Sequence, residues 1–337
     1  MFATLGGSIP ALPPTTGPTR VASADGHGAE GSGAATNGLD ELVRAAISAQ
    51  VAAGLEPVTD GGLRHPDRTA WWLGALGGTR PGWTAPIAVA DWTFAATATD
   101  RAVKQAVVGP FTLGRAAGEG ARRRRALTLG LAESLNTELR ALVAAGCPLV
   151  QVDEDAATEI GDSPSERGLF VESQRRLLDG VGGGHMSLAI RGGNADDAGS
   201  STILDAPYRS YLFDLCAGPD NWRLVVDVPA DRGVIVGAAD ARTPTDDGLE
   251  ILAYAIGYAA STRGRGHDRV GVATSNDMHS LDAAAAELKM RRIGEIARLY
   301  GAPPGTLARA LDPRAIDIRS AAYGRYAPAP ERKDRPR

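Results

Sequence analysis

Two kinds of apolar run alternate along this chain. Short runs with strand character sit between longer stretches whose apolar positions recur at helical spacing. Residues 1–5 form the first strand candidate. A Gly-, Pro- and Thr-rich stretch follows, residues 6–37, and reads as a long loop. Leu39, Leu42, Val43, Ile47 and Val51 then share one helical face, which predicts a helix over 39–53 that Gly54 stops. Val58 is a short strand candidate running into Thr59-Asp60-Gly61-Gly62. The extended pair of runs at 87–98 stays unassigned.

Beyond that point the rhythm is regular. Strands are predicted at 105–108, 149–152, 186–190, 224–226, 234–238 and 270–273. Helices are predicted at 124–145, 165–178, 204–215, 249–261 and 281–300, with Ser163 and Pro164 starting the second of these. Strand–helix alternation of this kind implies a parallel sheet with helices outside it. About eight such units in 337 residues favour closure into one (β/α)8 TIM barrel, a single α/β domain over 1–325. The Pro-rich, charged tail at 326–337 is expected to be disordered.

Several of these strands end in a polar residue: Asp60, Asp153 with Glu154, Arg191, Asp227, Asp240 and Ser275. In barrels the active site is built at the C-terminal ends of the strands, so such groups converge on one pocket. Each could equally cap the following helix or order its own loop; that all of them do so is the weaker reading. Asp153-Glu154-Asp155 is the densest cluster. Adjacent carboxylates repel, which raises the pKa of at least one and suits acid–base work or an ammonium ligand. A solvated acidic turn is the alternative.

The motifs fall in the order of one known family. Leu5-Gly6-Gly7-Ser8-Ile9-Pro10, Val58-Thr59-Asp60-Gly61-Gly62-Leu63-Arg64, Val108-Gly109-Pro110-Phe111-Thr112, Gln151-Val152-Asp153-Glu154 and Ile190-Arg191-Gly192-Gly193-Asn194 each resemble a segment of the catalytic domain of cobalamin-independent methionine synthases. The stretches 234–243 and 272–278 continue the likeness, which spans about residues 1–300. It implies a (β/α)8 barrel that moves a methyl or alkyl group to or from a thiol. It also implies a zinc ion that turns the thiol into thiolate, and a methylated folate as donor. By the same resemblance Ser8 is expected to bind substrate, and Asp60, Arg64, Asn194, Ser275 and His279, as polar groups at or near strand ends, are expected to join it. Asp153, Glu154, Asp227 and Arg191 are expected to carry the chemistry. Trp71 and Trp72 either stack on a pterin or pack beneath their loop.

The chain departs from that pattern at the metal. With Ile190-Arg191-Gly192 aligned on the family's Cys-Arg-Gly, its His-x-Cys pair falls on Leu188 and Ile190, its acidic ligand on Asp227 and its last Cys on Met278. Leucine and isoleucine cannot ligate, and a neutral thioether holds zinc poorly. His185 and His279 are the residues that could restore a site. Gly62 stands where the family has a glutamate. Zinc is therefore not expected, and a thiol acceptor would go largely un-ionised at neutral pH. Three readings follow: a zinc-independent transferase with a non-thiol acceptor, a metal-free lyase or decarboxylase on the same barrel, or a non-catalytic ligand-binding descendant.

Composition narrows the rest. A net charge of −4 argues against a general nucleic-acid surface. The run Arg122 to Arg125 reads as a solvated helix face or a local anion contact. Two distant cysteines give no disulfide framework and suit a reducing compartment. The opening MFATLGGSIPALPP lacks the basic and apolar regions of a signal peptide, and no apolar run has membrane-spanning length. A cytoplasmic enzyme acting on a small molecule, away from nucleic acid and membrane, is the expectation. The oligomeric state stays open.

Overall fold

The computed structural model describes residues 1–12, 31–303 and 305–311. The expected tail at 326–337 and much of the expected loop lie outside them. Seven parallel strands form one sheet: β1 (Phe2–Thr4), β2 (Lys104–Val108), β3 (Leu149–Asp153), β4 (His185–Ile190), β5 (Ser210–Asp214), β6 (Gly233–Ala239) and β7 (Val270–Thr274). Their spatial order is β1-β7-β6-β5-β4-β3-β2, so each strand after β2 is added beside its predecessor and β1 returns beside β7. Helices follow the strands: α1 (Gly31–Ala53), α2 (Arg68–Ala75), α3 (Val89–Thr97), α4 (Pro110–Ala116), α5 (Ala121–Ala144), α6 (Pro164–Leu178), α7 (Ser200–Ile203), α8 (Trp222–Asp227), α9 (Leu249–Ser261), α10 (Ala283–Gly301) and α11 (Thr306–Ala310).

Between β1 and β2 the chain segment at 56–58 is bonded to both. The Glu56 N–H donates to Ala3 O at 2.9 Å, the Val58 N–H donates to Ala102 O, and the Lys104 N–H donates to Val58 O, each also at 2.9 Å. Val58 makes a parallel bridge to Val103.

Most strands are buried on both faces, which explains their unbroken apolar character. Outward residues such as Val150, Val152, Leu188, Ile190, Tyr211 and Phe213 join the main core under the helices. Inward residues Ala189, Leu212, Ile235 and Ala273 make a second small cluster, against which Phe2 packs. Helix α10 lies over β1 and β7, and α9 over β6 and β7.

Several expected elements differ. The first helix begins at Gly31, inside the expected loop, and 87–98 contains a helix, α3. The stretch 204–215, expected to be a helix, instead holds β5, and the strand expected at 224–226 lies in α8. Both are short apolar runs, in which doubly buried strands lose the alternation that would mark them. Pro207 just before β5 also fits an extended entry better than a helix.

One close approach fixes the seat of α10. A Cβ at Gly294 would lie 1.8 Å from the Ala53 carbonyl oxygen at the end of α1. Gly294→Ala would gain about 1 kcal/mol of helix propensity, yet forcing the helices apart costs about 1–3 kcal/mol. The variant is expected to be less stable than the parent in urea unfolding; equal or higher stability would show that the two helices can separate freely.

Candidate active site

The C-terminal ends of β1, β2, β3, β4 and β7 surround a pocket of about 560 Å³ whose lining includes Ser8, Arg68, Thr112, Asp153, Asp155, Arg191, Asp277 and His279. A smaller cavity of about 40 Å³ shares Ser8, Gly62 and Arg68 with it and reaches down to Lys104 and Gln151. The inner cavity lies at the seam between β1 and β2.

Arg191 is the hub of the mouth. Its side chain is almost wholly buried. Nε donates to Asp155 at 3.0 Å and Nη2 donates to Asp155 at 2.8 Å and Asp153 at 3.2 Å. Nη1 donates to Gly6 O at 2.9 Å and faces Asp277 at 3.6 Å. Burial alone would lower its pKa, but Asp153, Asp155 and Asp277 outweigh that and raise it well above the usual value. Asp153 is also bonded to Arg68 at 2.7 Å and accepts from Gln151 at 2.7 Å. Asp277 accepts the Ser8 N–H at 2.6 Å. Burial would raise its pKa, yet Arg191 and the Ser8 N–H prevail and hold it at about 2.

Glu154 does not face the pocket. It is buried and accepts from the Phe111 N–H at 3.0 Å, the Thr112 N–H and hydroxyl at 2.7 Å each, and Gln174 at 2.6 Å. It thus tethers the first turn of α4, and its expected chemical role gives way to a structural one. Burial pushes its pKa up to about 7, against those hydrogen bonds.

Asp227 is displaced further. It ends the surface helix α8, its side chain is 44% exposed, and it faces Arg263 at 3.6 Å. The carboxylate that ends the strand after β4 is Asp214, fully buried, accepting N–H groups from Gly192, Cys216 and Ala217. β5 is buried along its whole length, so no alternation marks Asp214 as a strand end in the sequence.

The other expected residues divide. Ser8 and Asp60 line the inner cavity, and His279 lines the mouth. Arg64 is drawn away by Asp40 at 2.5 Å and by the Phe94 ring. Asn194 joins two loops through Asp220. Buried Ser275 accepts the Ala241 N–H. Asp240 accepts from Arg242 and Thr243. Trp71 lines the inner cavity with one face stacked on His65 at 3.6 Å, and Trp72 is buried. Neither tryptophan is in the lining of the larger pocket. Arg68, His65, Asp91, Lys104 and Asp277 had no strand-end signal in the sequence. Gln151 had one: it stands two residues before Asp153, hence on the same strand face.

Residues at the expected metal positions do not fit zinc. Leu188 and Ile190 face outward into the main core, whereas Ala189 and Arg191 face inward. A one-residue shift moves a strand's whole side-chain set to the other face, so the inward site is filled by a methyl group and a guanidinium. Met278 is fully buried in the core. His185 opens β4 at its other end and bonds Ser210 at 2.8 Å. Burial raises the Cys147 thiol to about 11, and burial with nearby carboxylates pushes Cys216 higher still, so neither offers a ready thiolate. Among the described residues no group of three or more His, Cys, Asp or Glu is placed to hold a metal. A glutamate at 62 is also barred: Gly62 has φ of +68°, and a Cβ there would lie 2.7 Å from Ser8 Cβ.

Fold and pocket together define an α/β protein with a parallel strand core and its polar groups gathered at the C-terminal strand ends. Within that class the chain resembles the catalytic domain of cobalamin-independent methionine synthases. Residues 80–167 match the family model described as "Cobalamin-independent synthase, Catalytic domain". A B12-independent methionine synthase from Shewanella sp. W3-18-1, solved in complex with selenomethionine, is similar in fold with a TM-score of 0.72 at 19% identity, over 88% of this chain and 97% of that one. A putative vitamin-B12 independent methionine synthase from Listeria monocytogenes gives 0.62 at 15% identity, over 78% and 87%. A methyltransferase from Methanosarcina mazei gives 0.56 at 14%, over 77% and 86%. No curated protein matches the chain. No helix among the described residues is long and apolar enough to cross a membrane.

The buried carboxyl at Glu154 sets a pH dependence. Its pKa is about 7 folded against 4.5 normally, so the folded state holds this proton more tightly. Stability is then present below pH 4.5 and lost as pH rises through 7, by roughly 3 kcal/mol. Urea unfolding of the parent and Glu154→Gln at about pH 5 and about pH 8 is expected to show this loss in the parent and little of it in the variant. Equal slopes would mean that Glu154 is ionised throughout.

Proposed function

We propose that this protein is a methyl- or alkyl-transferase that works without zinc on a small amino-acid-like substrate, with an acceptor other than a thiol. The observation that carries this reading is the inward Arg191, whose donors are spent on Asp153, Asp155 and the Gly6 carbonyl. A fixed internal cation stands at the strand end where the family's metal ligands would point. Zinc generates thiolate by supplying positive charge to a bound sulfur. Here that charge is already neutralised by carboxylates, so Arg191 has none to spare for a bound sulfur.

The carboxylates suit an amino-acid ligand. The Asp155 side chain is 38% exposed beside the mouth pocket, and Asp60 lies deeper with one oxygen taken by the Gly62 N–H. Each can accept from a substrate ammonium, and Asp155 can take the proton that an oxygen or nitrogen acceptor releases on alkylation. Asp153, held by two arginines, positions Arg191 rather than reacting. The donor is read as a methylated folate, for which the 560 Å³ pocket has room. The barrel is read as closed by the segment at 56–58 acting as a short eighth strand.

Isothermal titration with methionine and selenomethionine tests the amino-acid site. Binding is expected for both, weakened about tenfold or more by Asp155→Asn, the loss of one charge-assisted hydrogen bond. No binding, or binding indifferent to Asp155, overturns the assignment. Elemental analysis of the protein as purified is expected to find far less than one zinc per chain; a full equivalent that resists a chelator would sink the metal-free reading.

A further inference from the structure

Lys104 is used by none of this chemistry. The chain has three lysines, Lys104, Lys289 and Lys333, among 36 basic residues, so a buried lysine here is not ordinary surface charge. Lys104 begins β2, is 3% exposed, and lines the inner cavity. Its Nζ donates to Leu5 O at 2.5 Å and to Gln151 Oε1 at 2.6 Å. Two acceptors satisfy both N–H bonds of an uncharged amine and leave its lone pair free. Burial lowers its pKa to about 7, although Asp153 opposes this. Much of the amine is therefore uncharged at neutral pH, the form that attacks carbonyl carbon.

A second group points to the ligand. Arg68 lines the same cavity. Its Nη1 is engaged by Asp153, but its buried Nη2 has no hydrogen-bond partner among the described residues. An orphaned guanidinium N–H is costly unless a ligand satisfies it, and its preferred partner is a carboxylate. The cavity of about 40 Å³ has room for about three water-sized groups, the bulk of a two- or three-carbon acid.

We propose that the inner cavity is a covalent site for a small 2-oxo acid, held as an imine on Lys104 with its carboxylate on Arg68. The Lys104 lone pair forms the C–N bond at the carbonyl carbon. The carbonyl oxygen leaves as water with the two amine hydrogens, and no oxidant or reductant takes part. Ser8, Asp60 and His65 line the same space and can relay the proton that moves from nitrogen to oxygen. Nothing in this depends on methyl transfer, and the site would stand if the transferase reading failed.

Borohydride trapping tests it on the unaltered protein. The protein is incubated with glyoxylate, or with acetaldehyde, which lacks the carboxylate. It is then reduced and mapped by peptide mass spectrometry, with the N-terminal amine as a reference. Glyoxylate is expected to leave a carboxymethyl group on Lys104, with a preference over the N-terminal amine about tenfold greater than acetaldehyde shows. Adducts confined to the N-terminus, Lys289 or Lys333 would overturn the proposal. Acetaldehyde trapped at Lys104 with the same preference as glyoxylate would remove Arg68, and with it the 2-oxo acid.

Discussion

The burial of one guanidinium organises the mouth of this protein. Arg191 leaves the end of β4, and its donors reach Asp153 on β3, Asp155 just beyond it and the Gly6 carbonyl after β1, with Asp277 after β7 alongside. A buried arginine is tolerated only when its charge and its hydrogen bonds are met. Satisfying it therefore ties three strand ends and their loops into one arrangement. The geometry of the pocket follows from that requirement, since Ser8, Arg68 and Asp277 take their places around the same network.

The same constraint divides the carboxylates by role. Asp153 is held between two arginines and Asp277 is kept ionised by Arg191, so both are anchors. Glu154 and Asp214 turn to backbone N–H groups and shape α4 and the loops after β4 and β5. Asp155 and Asp60 keep partial access to the pockets. Carboxylates that look equivalent in sequence thus do different work, because each is bound by a different neighbour.

The likeness to cobalamin-independent methionine synthases is one of fold. The register of β4 matters most here. It turns Leu188 and Ile190 outward and Arg191 inward, so an internal cation fills the inward place at this strand end. The inner cavity, with a lysine whose pKa burial lowers to about 7 and an arginine nitrogen without a partner among the described residues, adds chemistry that the motifs do not mention.

By itself the sequence determined the alternation of strands and helices, the parallel core that follows from it, and the gathering of Asp153, Asp155 and Arg191 at strand ends. These depend on local periodicity and on the direction of the chain, both of which are written residue by residue. Tertiary structure decided the rest. A doubly buried strand carries no alternation, so β5 and its Asp214 were hidden and Asp227 took their place. The face to which β4 turns its side chains is set by pairing with β3 and β5. Lys104 and Arg68 meet across elements far apart in the chain, and Arg64 is lost to Asp40 and Phe94. Such contacts depend on distances between elements, which local pattern does not encode.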